Sequence, residues 1–151
     1  MDTNLNVKTL SYQSLRRRIK KNEGFSIKPY KDQLGFSTIG YGHLILSNEK
    51  DLIVKKTNKS DLEKIFINDF NIALNGFNIN LKPLTSNIKD SELLIEMVFQ
   101  MGIKKVLKFK KLLKHIRKGN KYTVCFEMMN SLWYKQTPQR VKKLITIFLK
   151  K

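Results

Sequence analysis

The apolar residues of this chain recur at helical spacing almost throughout, and the stretch from Phe25 to Leu46 breaks that rhythm. It gathers Gly35, Gly40 and Gly42 with Pro29, Tyr30, Phe36 and Tyr41, a mixture that signals turns and short strands rather than helix. One small antiparallel sheet set among helices follows, which makes the fold class α+β and mainly helical, with two lobes. Clefts between lobes of this kind are favoured sites for extended ligands.

The flanking segments read as helices. Leu10 to Asn22 is the first, with Leu15 and Ile19 on one face. Ser60 to about Asn80 is the longest: Ser60 and Glu63 have the spacing of a capping box, and Leu62, Ile65, Phe66, Phe70, Ala73, Leu74 and Phe77 follow at helical intervals. Further helices are expected from Ile88 to Met101 with Gly102 as the stop, from Lys104 to Lys118, from Tyr122 to Ser131, and from Pro138 through Phe148 with Thr137 as cap. Residues 1–151 then form one domain. Residues 24–70 make a small lobe with the hairpin and the start of a connecting helix; residues 71–151 and the N-terminal helix 10–22 make a helical lobe.

Charge limits the partners. The chain has 30 Lys and Arg against 12 Asp and Glu, a net +18, so it attracts polyanions: nucleic acid, acidic lipid or anionic wall polymer. Lysine, spread along the chain, favours general attraction over the bidentate recognition that arginine gives. Zinc-finger spacing and RRM-type aromatic motifs are missing, so no specific nucleic-acid partner is expected. No apolar run is long enough for a transmembrane segment; Leu93 to Met101 is interrupted by Glu96 and Gln100. The N-terminus lacks the basic, apolar and small-residue order of a secretory signal. Cys125, the single cysteine, sits in an apolar pattern and reads as a small buried residue rather than a nucleophile. Trp133 and Tyr134 lie in a helical apolar pattern and read as core.

Chemistry concentrates in the irregular segment. Glu23 falls where the first helix ends, Asp32 follows nine positions later in a hairpin, and Thr38 returns on the next strand. Two carboxyls and a hydroxyl around one cavity suit glycoside hydrolysis, in which one carboxyl donates a proton to the leaving oxygen and another, ionised, directs the nucleophile or stabilises positive charge. By spacing alone, two surface carboxylates in a lysine-rich protein are the better explanation of the pair.

The order Glu23-Gly24, Tyr30-Lys31-Asp32, Gly35, Thr38-Ile39-Gly40-Tyr41-Gly42-His43 resembles the active-site signature of the T-even bacteriophage lysozymes, glycoside hydrolase family 24. Two further blocks agree, Met97-Val98-Phe99-Gln100-Met101-Gly102 and Trp133-Tyr134, Gln136-Thr137-Pro138, Arg140. The resemblance implies a lysozyme-like two-lobed fold and an inverting peptidoglycan hydrolase that cleaves between N-acetylmuramic acid and N-acetylglucosamine, without metal or other cofactor. It implies Glu23 as general acid, Asp32 and Thr38 as the groups that position water, and Leu44 and Phe99 as substrate-binding. It also implies Arg140 as a partner of the catalytic Glu and an ion pair between His43 and Asp69. The chain departs from the family at Glu96, an added carboxylate, and at Leu112 and Glu127, where the best-known member contacts substrate. It is also shorter between His43 and Asp69 and carries an extra N-terminal segment, expected to cover core that a longer C-terminal tail would cover.

The expected partner is bacterial peptidoglycan, met by a monomer. The expected location is the host bacterial cytoplasm before release to the wall, or the virion. A non-catalytic basic wall- or membrane-binding protein is the alternative: Val141, Leu144, Ile145 and Phe148 oppose Lys142, Lys143, Lys150 and Lys151 on the last helix, an amphipathic pattern shared by membrane-surface helices and ordinary packed ones.

Overall fold

The computed structural model describes residues 12–151, so the proposed role of the N-terminal extension, and the first two residues of the helix expected from Leu10, lie outside the described residues. Contacts divide the chain into two compact units, one ending at Ile72 and one running from Ala73 to Lys151. The helix that precedes the sheet lies with it in the unit ending at Ile72.

Among the described residues the first unit begins with α1 (Gln13–Glu23), whose Leu15 and Ile19, four apart, are fully buried. Lys20 and Lys21 in its last turn complement the negative end of the helix dipole. Three antiparallel strands follow in the order β1 (Ser26–Lys31), β2 (Ser37–Gly40) and β3 (His43–Leu44). A 3-10 turn (Ser47–Glu49) and the short helix α2 (Asp51–Val54) lead to α3 (Lys59–Asn80).

Helix α3 buries Leu62, Phe66, Phe70, Ala73, Leu74 and Phe77, the stripe visible in the sequence. Its start corrects the expected cap. The helix begins at Lys59, and Asn58 Oδ1 accepts the Asp61 amide at 2.9 Å, so Asn58 is the N-cap and Ser60 lies inside the first turn. Glu63, expected to close a capping box, is instead engaged with Lys20 and Tyr41. Asn58→Ala is expected to cost about 1 kcal/mol, read from the urea midpoint, whereas Ser60→Ala is expected to change it little.

The second unit is helical: a 3-10 turn (Lys82–Leu84), then α4 (Ile88–Met101), α5 (Ile103–Leu107), α6 (Lys110–Lys118), α7 (Lys121–Met129), α8 (Leu132–Gln136) and α9 (Pro138–Leu149). Asn87 caps α4 by accepting the Asp90 amide at 2.9 Å, and Gly102 ends it at φ 85°. Fully buried Leu94, Ile95, Met97, Val106, Met128 and Val141 form the core.

One expectation fails here. The single helix from Lys104 to Lys118 is broken at Lys108-Phe109, where Lys108 and Phe109 amides bond to carbonyls three residues back; the Phe109 ring meets Trp133 edge-on, centroids 6.4 Å apart. Thr137 holds the N-cap position of α9 with Pro138 in its first turn, as expected, but its hydroxyl donates to the Trp133 carbonyl at 3.1 Å and takes no α9 amide. The apolar face of α9 is covered: Val141, Leu144 and Phe148 are at most 2% exposed, so that face is core and not a membrane surface.

Candidate active site

Strands β1 and β2 pair in a register that sets Tyr30 opposite Thr38 and Lys31 opposite Ser37. Asp32 follows β1 and closes the hairpin. Its amide donates to the Phe36 carbonyl at 2.9 Å, and its Oδ1 accepts the amides of Leu34 (2.9 Å) and Phe36 (2.8 Å). Gly35, at φ 84°, makes the turn. The Asp32 carboxylate is therefore built into the loop through Oδ1, while Oδ2 takes no part in those turn bonds. Thr38, 3% exposed, donates its hydroxyl to the Phe36 carbonyl at 3.0 Å.

Glu23 is the last residue of α1 and is half-buried. Its carboxyl lies directly on the backbone of Gly42: a Cβ added there would meet Glu23 Oε2 at 2.6 Å. Gly42 also has φ +75°, a left-handed conformation that side chains disfavour. The neighbouring Tyr41 anchors this turn. Its hydroxyl donates to Glu63 Oε1 at 2.6 Å, while Lys20 Nζ donates to Glu63 Oε2 at 2.5 Å. The Tyr41 ring contacts Phe25 and Phe66, with centroids 4.9 and 5.4 Å away, and the Lys20 ammonium lies 5.0 Å from the centre of the Tyr41 ring. The hydrogen bond to Glu63, with burial added, pushes the Tyr41 phenol up to about 12. Burial works to raise the Glu63 carboxyl, but the bonds from Lys20 and Tyr41 outweigh it and hold the group below the ordinary carboxylate range.

Burial raises the Tyr30 phenol above the usual range, and the negative charges of Glu23 and then Asp32 raise it further. Leu44, opposite Thr38 on β3, is 46% exposed. Phe99 on α4 and Arg140 on α9 are both half-buried in the unit from Ala73 to Lys151. Glu96 is fully buried on α4, and Leu112 on α6 is 1% exposed. Among the described residues no group of three His, Cys, Asp or Glu can hold a metal. Burial raises the Cys125 thiol, which suits a packing role.

His43 lies between two carboxylates. Its Nδ1 is 2.7 Å from Asp69 Oδ2, and its Nε2 is 2.7 Å from Glu49 Oε2. Glu49 had no place in the sequence reading; an acid six residues on, in a turn, gives no periodic signal. The Asp69 bond is the largest influence on the imidazole; burial opposes it, Glu49 adds to it, and the net pushes His43 up to about 9 from 6.5. A raised histidine contributes stability in full below the unfolded value and loses it as pH rises through the folded one. About 3 kcal/mol of stability present at pH 6 is expected to be gone above about pH 9. Urea midpoints between pH 6 and 10 are expected to fall more steeply for the wild type than for His43→Gln, and parallel curves would contradict the clamp.

The sequence has relatives. Residues 20–146 match the family described as Phage lysozyme, and the chain belongs to that family, which makes it a lysozyme-type enzyme, a hydrolase of peptidoglycan. It is 33% identical to "Probable T4-type lysozyme 2" of Dictyostelium discoideum across 89% of this chain and 93% of that protein. It is 34% identical to "Probable T4-type lysozyme 1" of the same organism across 89% and 92%. The pre-baseplate central spike protein of Enterobacteria phage T4 is 28% identical across 90% of this chain, but that match covers 28% of the spike protein. Among the described residues no helix is long and apolar enough to cross a membrane.

Proposed function

We propose that the chain hydrolyses the β-1,4 bond from N-acetylmuramic acid to N-acetylglucosamine with inversion. Glu23, protonated, donates its proton to the leaving O4 of N-acetylglucosamine as the bond from C1 of N-acetylmuramic acid breaks. Asp32, ionised, takes a proton from a water that attacks C1, and the Thr38 hydroxyl helps to hold that water. The observation that carries this reading is the geometry of the sheet: Asp32 closes the β1–β2 hairpin, Thr38 lies on β2, and the Glu23 carboxyl lies against Gly42 in the turn from β2 to β3. The two carboxyls come from different elements, Glu23 from a helix end and Asp32 from a hairpin loop whose amides hold its Oδ1.

Phe99, Leu44 and Arg140 keep the sugar-lining and supporting roles that the family resemblance implies. The net charge of +18 draws the enzyme to anionic wall material. The proposed setting is lysis of bacteria by a monomer, released from the host cytoplasm or carried on a virion. Proton NMR of soluble glycan strands tests the stereochemistry: the first reducing end formed is expected to be the α-anomer, whereas an initial β-anomer would overturn inversion.

A further inference from the structure

Each strand of the sheet gives one residue to a single cross-strand row: Tyr30 on β1 faces Thr38 on β2, and Thr38 faces Leu44 on β3. Residues directly opposed across antiparallel strands project from the same face of the sheet. The ladder continues with the bond from the Asp32 amide to the Phe36 carbonyl, which puts Phe36, two positions before Thr38, on that face as well. The alternate rows differ in chemistry: Lys31 and Ser37 are joined by a 2.8 Å hydrogen bond, and Ile39 is fully buried opposite His43. On the face of interest Thr38 is 3% exposed, while Tyr30, Leu44 and Phe36 stay open at 39%, 46% and 54%. Three open apolar or aromatic side chains thus share a face with buried Thr38.

A polar polymer of N-acetylated sugars presents C–H faces that pack on aromatic rings and hydroxyls that need partners. Tyr30 can meet both needs. We propose that Tyr30 is a further substrate-contacting and specificity-determining residue, its ring packing on the apolar face of an N-acetylated sugar beside the bond to be cleaved and its hydroxyl donating to that sugar, with Phe36 extending the platform. The phenol is a neutral donor, and burial, the largest influence on it, further opposes its ionisation. This inference rests on the proposed roles of Glu23, Asp32 and Thr38.

The test compares wild type, Tyr30→Ala, Tyr30→Phe and Phe36→Ala in the full chain. Steady-state hydrolysis of soluble uncrosslinked glycan strands is measured, and binding of the same strands is measured in the Glu23→Gln background. Tyr30→Ala is expected to raise KM and weaken binding by roughly tenfold with little change in kcat, and Tyr30→Phe and Phe36→Ala by about threefold. A merely structural role would lower thermal stability or kcat and leave KM and binding unchanged; that result in a folded Tyr30→Ala or Tyr30→Phe protein overturns the proposal. Full activity of Glu23→Gln would instead overturn the catalytic reading beneath it, with the binding comparison still reporting on Tyr30.

Discussion

Glu23→Gln is expected to lower kcat on peptidoglycan by about 10²–10⁴-fold, the usual loss when a positioned acid is removed. Glutamine preserves the volume and packing of the side chain against Gly42 but carries no acidic proton for the leaving oxygen. Thermal stability is expected to change little, because the side chain is half-buried and the fold rests on Leu15 and Ile19 of the same helix. Clearing of permeabilised bacteria, followed by turbidity, gives the comparison directly. Because net charge is +18, a charge-driven wall binder would clear them equally well without Glu23, so matched clearing by wild type and variant would favour a non-catalytic mode of action.

Gly42→Ala is expected to give the next largest effect, through two separate costs. Its φ of +75° makes any side chain strained by about 1–2 kcal/mol. The new methyl carbon would also arrive 2.6 Å from Glu23 Oε2, so the carboxyl must move. A shift of about 1 Å in a reacting group can cost on the order of 10²-fold in rate. Gly119 separates these costs: it has φ +73° at the end of α6, with no atom within 4 Å of an added Cβ. Gly119→Ala is therefore expected to lower stability by a similar amount and keep activity, whereas Gly42→Ala loses both. Equal activity in the two variants, assayed well below their melting temperatures, would show that Gly42 does not place Glu23.

Much of this was legible in the sequence because local periodicity and local chemistry agree. The stripe from Leu62 to Phe77 is written at helical spacing, and the glycines between Phe25 and Leu46 mark the hairpin. The resemblance, not the spacing, turned Glu23 and Asp32 from an ordinary pair of acids into a candidate active site. What escaped depends on partners distant in sequence. The break at Phe109 accompanies its edge-on contact with Trp133, which no window around residue 109 contains. The cap at Asn58 competes with Ser60 two residues away, and both are good capping types. The place of Tyr30 follows from strand register, where a slip of one residue would send the side chain to the other face. Glu49 reaches His43 only because the 3-10 turn folds back on β3.

The central claim is tested most directly by mass spectrometry of the reducing ends released from purified peptidoglycan by wild type and by Glu23→Gln. Reducing-end N-acetylmuramic acid from the wild type, and almost none from the variant, is the expected result. Equal release by both proteins, or an anhydro product in place of the free reducing end, would contradict hydrolysis with Glu23 as the acid.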